Sequence, residues 1–130
     1  MERISSREEF LSYLNNGRKD FTGCDLRGLD LSQTDLYNVN LYKANLNGAD
    51  LTGADLYKAN LTNAKLIRAN LTNADLCKAN LTNADLRGAD LTGINLHSAS
   101  LKNANFIDAN LYKADLHGVD LSTLNVILTK

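Results

Sequence analysis

The chain has 130 residues, 44% of them hydrophobic and 22% charged, with a formal net charge of −1 and no proline or tryptophan. That length fits one domain, and the near-neutral balance excludes both the basic excess of a typical nucleic-acid binder and the acidic excess of a nucleic-acid mimic. Two cysteines, Cys24 and Cys77, are too few for the disulfide framework of a small secreted domain.

The first predicted element is a short helix. The opening MERISSREEF is charged and has no apolar run, so no signal peptide is expected. No stretch of the chain is apolar for long enough to cross a bilayer. The expectation is a soluble cytoplasmic protein with free thiols and no membrane partner. Ser5 and Ser6 precede Glu8 and Glu9 by three residues, which gives two overlapping capping boxes. Phe10, Leu11 and Leu14 then form a helical apolar stripe, and Gly17 suits a C-terminal stop. The pattern predicts a helix over 6–15, within an N-terminal cap of residues 1–18.

Residues 19–126 follow one rule. From Phe21 to Val126 every fifth residue is apolar, almost always leucine, without a miss. Two positions earlier stands a small or apolar residue, with an unbroken alanine row from Ala44 to Ala89 and larger members such as Cys24, Val39 and Ile94. Just before each centre comes Asp or Asn, except at Lys65 and Ser100. A helix turning about 100° per residue would scatter a five-residue period around its axis. A straight strand would flip each successive leucine to the opposite face. Only a backbone that bends once per repeat returns every leucine to the inside. Within a repeat, Leu and Ala then share the inner face and Asp or Asn points outward. The remaining position is the corner, and seven of the eight glycines lie there, joined by Asn38, Asn63, Asn73, Asn83 and Asn103. A disordered tract lacks such an apolar lattice.

These runs, for example ANLNGADLTGADLYKANLTNA at 44–64 and ANLTNADLCKANLTNADLRGADL at 69–91, resemble the pentapeptide-repeat family and its A(D/N)LXX motif. The resemblance covers about Asp20 to Val126. It implies an all-β fold, a right-handed quadrilateral β-helix of about five coils with four repeats per coil, here with a short N-terminal capping α-helix. Residues twenty apart then stack, so Phe21, Leu41, Leu61, Leu81, Leu101 and Leu121 form one core ladder. An open solenoid end exposes backbone groups and leucines and must be covered. The helix, through Ser5, Ser6, Phe10 and Leu14, is read as the lid of the first coil. At the other end Leu124, Val126, Ile127 and Leu128 crowd a tail of residues 127–130. They either fold over the last coil or leave it to a homodimer through the C-terminal end, as the resemblance also implies.

In the same register Tyr37, Tyr57, Cys77, His97 and His117 form an outward column beside Asp35, Asp55, Asp75, Asn95 and Asp115. Thiol and imidazole stacked about 4.8 Å apart make Cys77, His97 and His117 weak metal candidates. A flat β face supplies nothing to orient such ligands, so solvated side chains are the plainer reading and no metal is assigned. Cys24 falls on an inward alanine column and reads as a buried, inert thiol.

No phosphate loop, CxxC, HExxH or nucleophile elbow is present. The sequence therefore predicts no catalytic residue and no cofactor. The leading reading is a non-enzymatic structural or interaction module presenting flat β faces to an unidentified protein partner. The alternatives are a DNA-mimicking inhibitor or protector of a topoisomerase, as some relatives are, and the metal-binding column.

Overall fold

The computed structural model describes residues 1–124. Helix α1 spans Arg7–Asn15, and from Asp20 onward the chain turns once every five residues. Parallel bridges join residue i to residue i+20, from Asp20↔Asn40 through Asn95↔Asp115. Four turns per twenty residues close a four-sided coil, and each coil stacks on the next in register.

The fold can be accounted for through its backbone N–H groups, since a buried orphan is costly. In the repeat beginning at Phe21, three donors leave the coil: Phe21 N–H reaches Asn40 O at 2.8 Å, Gly23 N–H reaches Tyr42 O at 2.8 Å, and Asp25 N–H reaches Glu2 O at 2.7 Å. Cys24 N–H closes the turn onto Phe21 O at 3.1 Å. Thr22 N–H, the fifth, is taken by the Asp20 side chain at 3.0 Å. All five donors are satisfied. The same side-chain bond recurs along the rod, for instance Tyr37 N–H to Asp35, Thr62 N–H to Asn60 and His97 N–H to Asn95. The outward Asp and Asn columns therefore hold the turns as Asx bonds; reading them as a solvated face misses that role.

The turns carry a positive φ at their third residue, for example +69° at Gly23 and +60° at Asn63. That geometry suits Gly and Asn, yet Gln33, Lys43, Lys58, Arg68, Lys78, Ser98, Asp108 and Lys113 adopt it too. The corner N–H must reach the next coil and the following N–H must close the turn, as at Lys43 to Thr62 O and Ala44 to Leu41 O. Stacking imposes the conformation whatever the side chain.

Inside, Phe21, Leu41, Leu61 and Leu81 are fully buried and Leu101 nearly so. Each such side chain contributes about 1.5–3 kcal/mol. Leu121 does not join this core: it is 50% exposed, because no further coil stacks on it among the described residues. Val126, Ile127, Leu128 and the tail at 127–130 lie outside the described residues.

At the opposite end the lid has two parts. Ser6 caps α1 by accepting from Glu9 N–H at 3.0 Å, and the Glu9 carboxylate accepts from Ser5 N–H at 2.9 Å. One box thus forms across both serines, rather than two overlapping ones. Phe10 is fully buried and stacks on Phe21 at 4.5 Å between ring centroids, while Leu14 is half-buried against the core. The second part is a strap at residues 2–4. Arg3 bridges Asp25, Ile4 N–H donates to Asp25 O, and Ile4 is fully buried. Three residues give no periodic signal, so the sequence pattern carries no hint of the strap.

Candidate functional site: the outward walls

With backbone groups spent inward and between coils, the chemistry open to a partner lies in the outward side chains. Each wall carries the Asp/Asn column, the column after each leucine, and the corner that ends it. The wall holding Phe21, Leu41 and Leu61 is the first, and the others follow in chain order.

The fourth wall holds the column singled out above. Tyr37 and Tyr57 stack at 5.6 Å and 10°. Lys58 Nζ lies 5.5 Å from the Tyr57 ring centroid and Lys19 Nζ 6.0 Å from that of Tyr37. Tyr37 is 43% exposed. Cys77 is half-buried with a free thiol. The His97 and His117 rings are 6.4 Å apart and tilted by 46°. His117 Nδ1 is 2.7 Å from Asp115, whose carboxyl is held low first by the His117 backbone N–H and then by its ring. Among the described residues no three His, Cys, Asp or Glu side chains come together to hold a metal ion. The register does align Cys77, His97 and His117, but their side chains are not brought together as a ligand set.

Cys24 is buried at the N-terminal end between the Arg18 guanidinium at 3.5 Å and the Glu2 carboxylate at 3.7 Å from its sulfur. Burial pushes its thiol up, with Glu2 adding to the shift, as an inert structural cysteine requires. Asp25, 4% exposed, is gripped by Arg27 at 2.8 Å and Arg3 at 2.9 Å, and the Arg27 hydrogen bonds hold its carboxyl far below the usual range.

The second wall carries one of the two breaks in the Asp/Asn column, the other being Ser100 on the first wall. Lys65 stands in the Asp/Asn column and cannot accept the turn N–H. Ile67 N–H is instead taken by Asn47 Oδ1 from the preceding coil, at 2.8 Å. Arg87 is clamped on Asp85, with Nε and Nη2 at 2.8 and 2.7 Å, which keeps that carboxyl low. Ile67, Arg68, Arg87, Gly88 and Asp108 line a groove of 390 Å³. The sequence reading passed over this wall because its residues, taken singly, look like ordinary surface.

The third wall repeats hydroxyls beside acid and amide side chains, with Ser32, Thr72 and Thr92 bonded to Asp30, Asn70 and Asp90 at 2.6–2.7 Å. The first does the same at Thr22 and Thr82. These hydroxyls are already spent on the turns.

Comparison with known proteins adds the following. A family model described as pentapeptide repeats matches eight copies, over residues 20–56, 54–93 and 89–123. Among solved structures, a pentapeptide repeat protein from the Arabidopsis thaliana thylakoid lumen is 34% identical, with a TM-score of 0.75 over 77% of this chain and 70% of that one. The pentapeptide repeat protein Rfr23 from the cyanobacterium Cyanothece 51142 is 29% identical, with a TM-score of 0.58 over 90% of this chain and 95% of that one. No curated protein matches the sequence.

Proposed function

Because the chain belongs to the pentapeptide-repeat family, whose members are generally structural or interaction modules, we propose that it is a non-enzymatic binding module. On this reading it is a right-handed quadrilateral β-helix of about five coils that presents its walls to a protein partner in the cytoplasm. The observation that carries it is the backbone accounting. Fixed positions are consumed by core and turns, and what varies from coil to coil is outward chemistry. Two free thiols suit a reducing compartment. The test is cross-linked capture on the immobilised protein from its host. One partner, recovered near equal stoichiometry and displaced by free protein, is expected; recovery no greater than on a blank matrix rejects the reading.

Acid on two adjacent walls favours a second reading, inhibition or protection of a topoisomerase by DNA mimicry. The third and fourth walls carry seven aspartates against three lysines. Duplex DNA presents one charge per about 1.7 Å, or about 14 over a rod of about 24 Å. The walls fall well short, so the first reading is preferred. A gyrase supercoiling assay decides between them, since no effect at stoichiometric excess dismisses mimicry. The partly exposed Leu111, Leu116 and Leu121 also support pairing of two copies through the C-terminal end. Light scattering tests this, because a mass that stays monomeric at high concentration rejects it.

A further inference from the structure

We infer that the second wall is the partner-binding face, and that it takes an extended acidic peptide segment with interspersed apolar side chains, seated over Ile67, Arg68, Arg87 and Gly88. This rests on the interaction-module reading and names its face and its ligand chemistry.

Three observations converge. The first is composition. All three arginines of the repeat region, Arg27, Arg68 and Arg87, lie on this wall, and the strap places Arg3 beside them. Its outward isoleucines, Ile67 and Ile107, are half-buried among these cations. Arginine is among the residues that binding faces are enriched in. Four cations against three aspartates make this wall net positive, whereas the third and fourth walls are each net negative by two.

The second is a local cost that the core does not demand. Lys65 gives up the bond that the Asp or Asn of other repeats makes to its own turn, and Asn47 must supply it from the coil before. Arg68, three residues on, shares its φ of +59° with the other non-glycine corners and adds nothing to this cost. A sequence that breaks its own rule without a structural gain marks a place where function is the constraint.

The third is shape and available charge. Gly88 leaves its corner bare between Arg68 and Asp108, and the Arg68 stem lies along the gap, its Cγ 3.3 Å from where a Cβ would sit. The result is the 390 Å³ groove, which Ile67 also lines. Arg68 has no carboxylate within 4 Å among the described residues, whereas Arg87 is paired with Asp85, on whose carboxyl the Lys65 charge also acts. A guanidinium without a partner matches a carboxylate through two parallel hydrogen bonds. Asp25, Asp85 and Asp108 interrupt the cations, so a continuous phosphate backbone would meet repeated like charge. A peptide whose carboxylates alternate with apolar groups would not.

The test titrates 15N-labelled protein with ten-residue peptides alternating Glu–Leu, Gln–Leu or Lys–Leu, and with an oligothymidylate. The Glu–Leu peptide is expected to bind best, shifting Ile67, Arg68, Arg87 and Gly88. A Lys65→Asn, Arg68→Gly double variant should lose about tenfold in affinity, the loss of a charge-assisted pair, while its melting temperature holds or rises because both changes restore the repeat rule. Equal binding of the Lys–Leu or Gln–Leu peptide, tighter binding of the oligonucleotide, shifts confined to another wall, no binding at millimolar peptide, or an unaffected variant would each overturn the inference. A captured host partner that still binds the double variant would reject this face while leaving the interaction-module reading standing.

Discussion

The two ends of the solenoid are built from the same repeat and have different fates. At the first coil Phe21, Leu26, Leu31 and Leu36 are fully buried beneath Ile4, Phe10 and the strap. The Arg18 guanidinium lies 4.8 Å from the Tyr13 ring centroid and 4.6 Å from that of Phe21, closing the lid's edge. At the last described coil Leu111 and Leu116 are half-buried and Leu121 is open to water. Burial is therefore a property of being stacked between neighbours, as expected of a one-dimensional array. A leucine's contribution is set by what lies above and below it, not by its place in the motif.

The largest effects should follow from breaking that contrast. Phe10→Ala opens a cavity against Phe21 and should cost about 3–5 kcal/mol. Leu61→Ala, in the middle of the rod, should cost about 2–5 kcal/mol for the same reason. Leu121→Ala should cost less than about 1 kcal/mol, because half of the side chain is already solvated. Urea denaturation of the three variants measures the gradient directly. A Leu121 variant as damaging as Phe10→Ala would mean that the two ends are equally covered in solution.

The corners sharpen the comparison at a smaller scale, because they are alike at both ends and in the middle. Gly48 has φ of +70° with nothing within 4 Å of an added Cβ, so Gly48→Ala isolates the conformational cost, about 1–2 kcal/mol. Gly53→Ala should cost about the same, since what its Cβ would meet is the far end of the flexible Gln33 side chain, which can swing aside. Lys78→Gly should gain up to about 1 kcal/mol by relieving the same strain. Equal effects at Gly48 and Gly53 would show that Gln33 moves aside freely.

Much of this architecture was legible in the sequence because a strict period of five has few physical solutions. The bend and the inward leucine and alanine columns follow from where apolar atoms can be hidden, and the capping serines from the helix N–H groups that need an acceptor. What escaped was set by contacts rather than by pattern. The strap at residues 2–4 is too short to show periodicity. The Asp and Asn side chains look like solvated surface until the fifth N–H of each repeat needs an acceptor. Lysine and arginine at corners contradict their own preferences, and only the inter-coil bonds explain them. Leu121 satisfies the motif yet has no further coil against it among the described residues. The second wall was missed for a related reason: Lys65, Ile67 and Arg68 read as tolerated variation until Asn47 is seen holding the bond that Lys65 abandons.

That substitution of Asn47 for residue 65 gives the smallest and most discriminating effect. Every ordinary repeat satisfies its turn locally, so Asn60→Ala should cost about 1 kcal/mol through loss of the bond to Thr62 N–H. In the chain as it stands, Asn47→Ala should cost a similar about 1 kcal/mol, because Ile67 N–H then has no acceptor. In a Lys65→Asn background the local acceptor returns and the same Asn47→Ala change should become nearly silent. The coupling between the two positions, read from a double-mutant cycle in urea, should therefore approach the whole of the single-mutant effect. Additive effects would mean that water serves Ile67 as well as Asn47 does. Lys65 would then carry no local cost, and the second wall would lose one of the three observations that single it out.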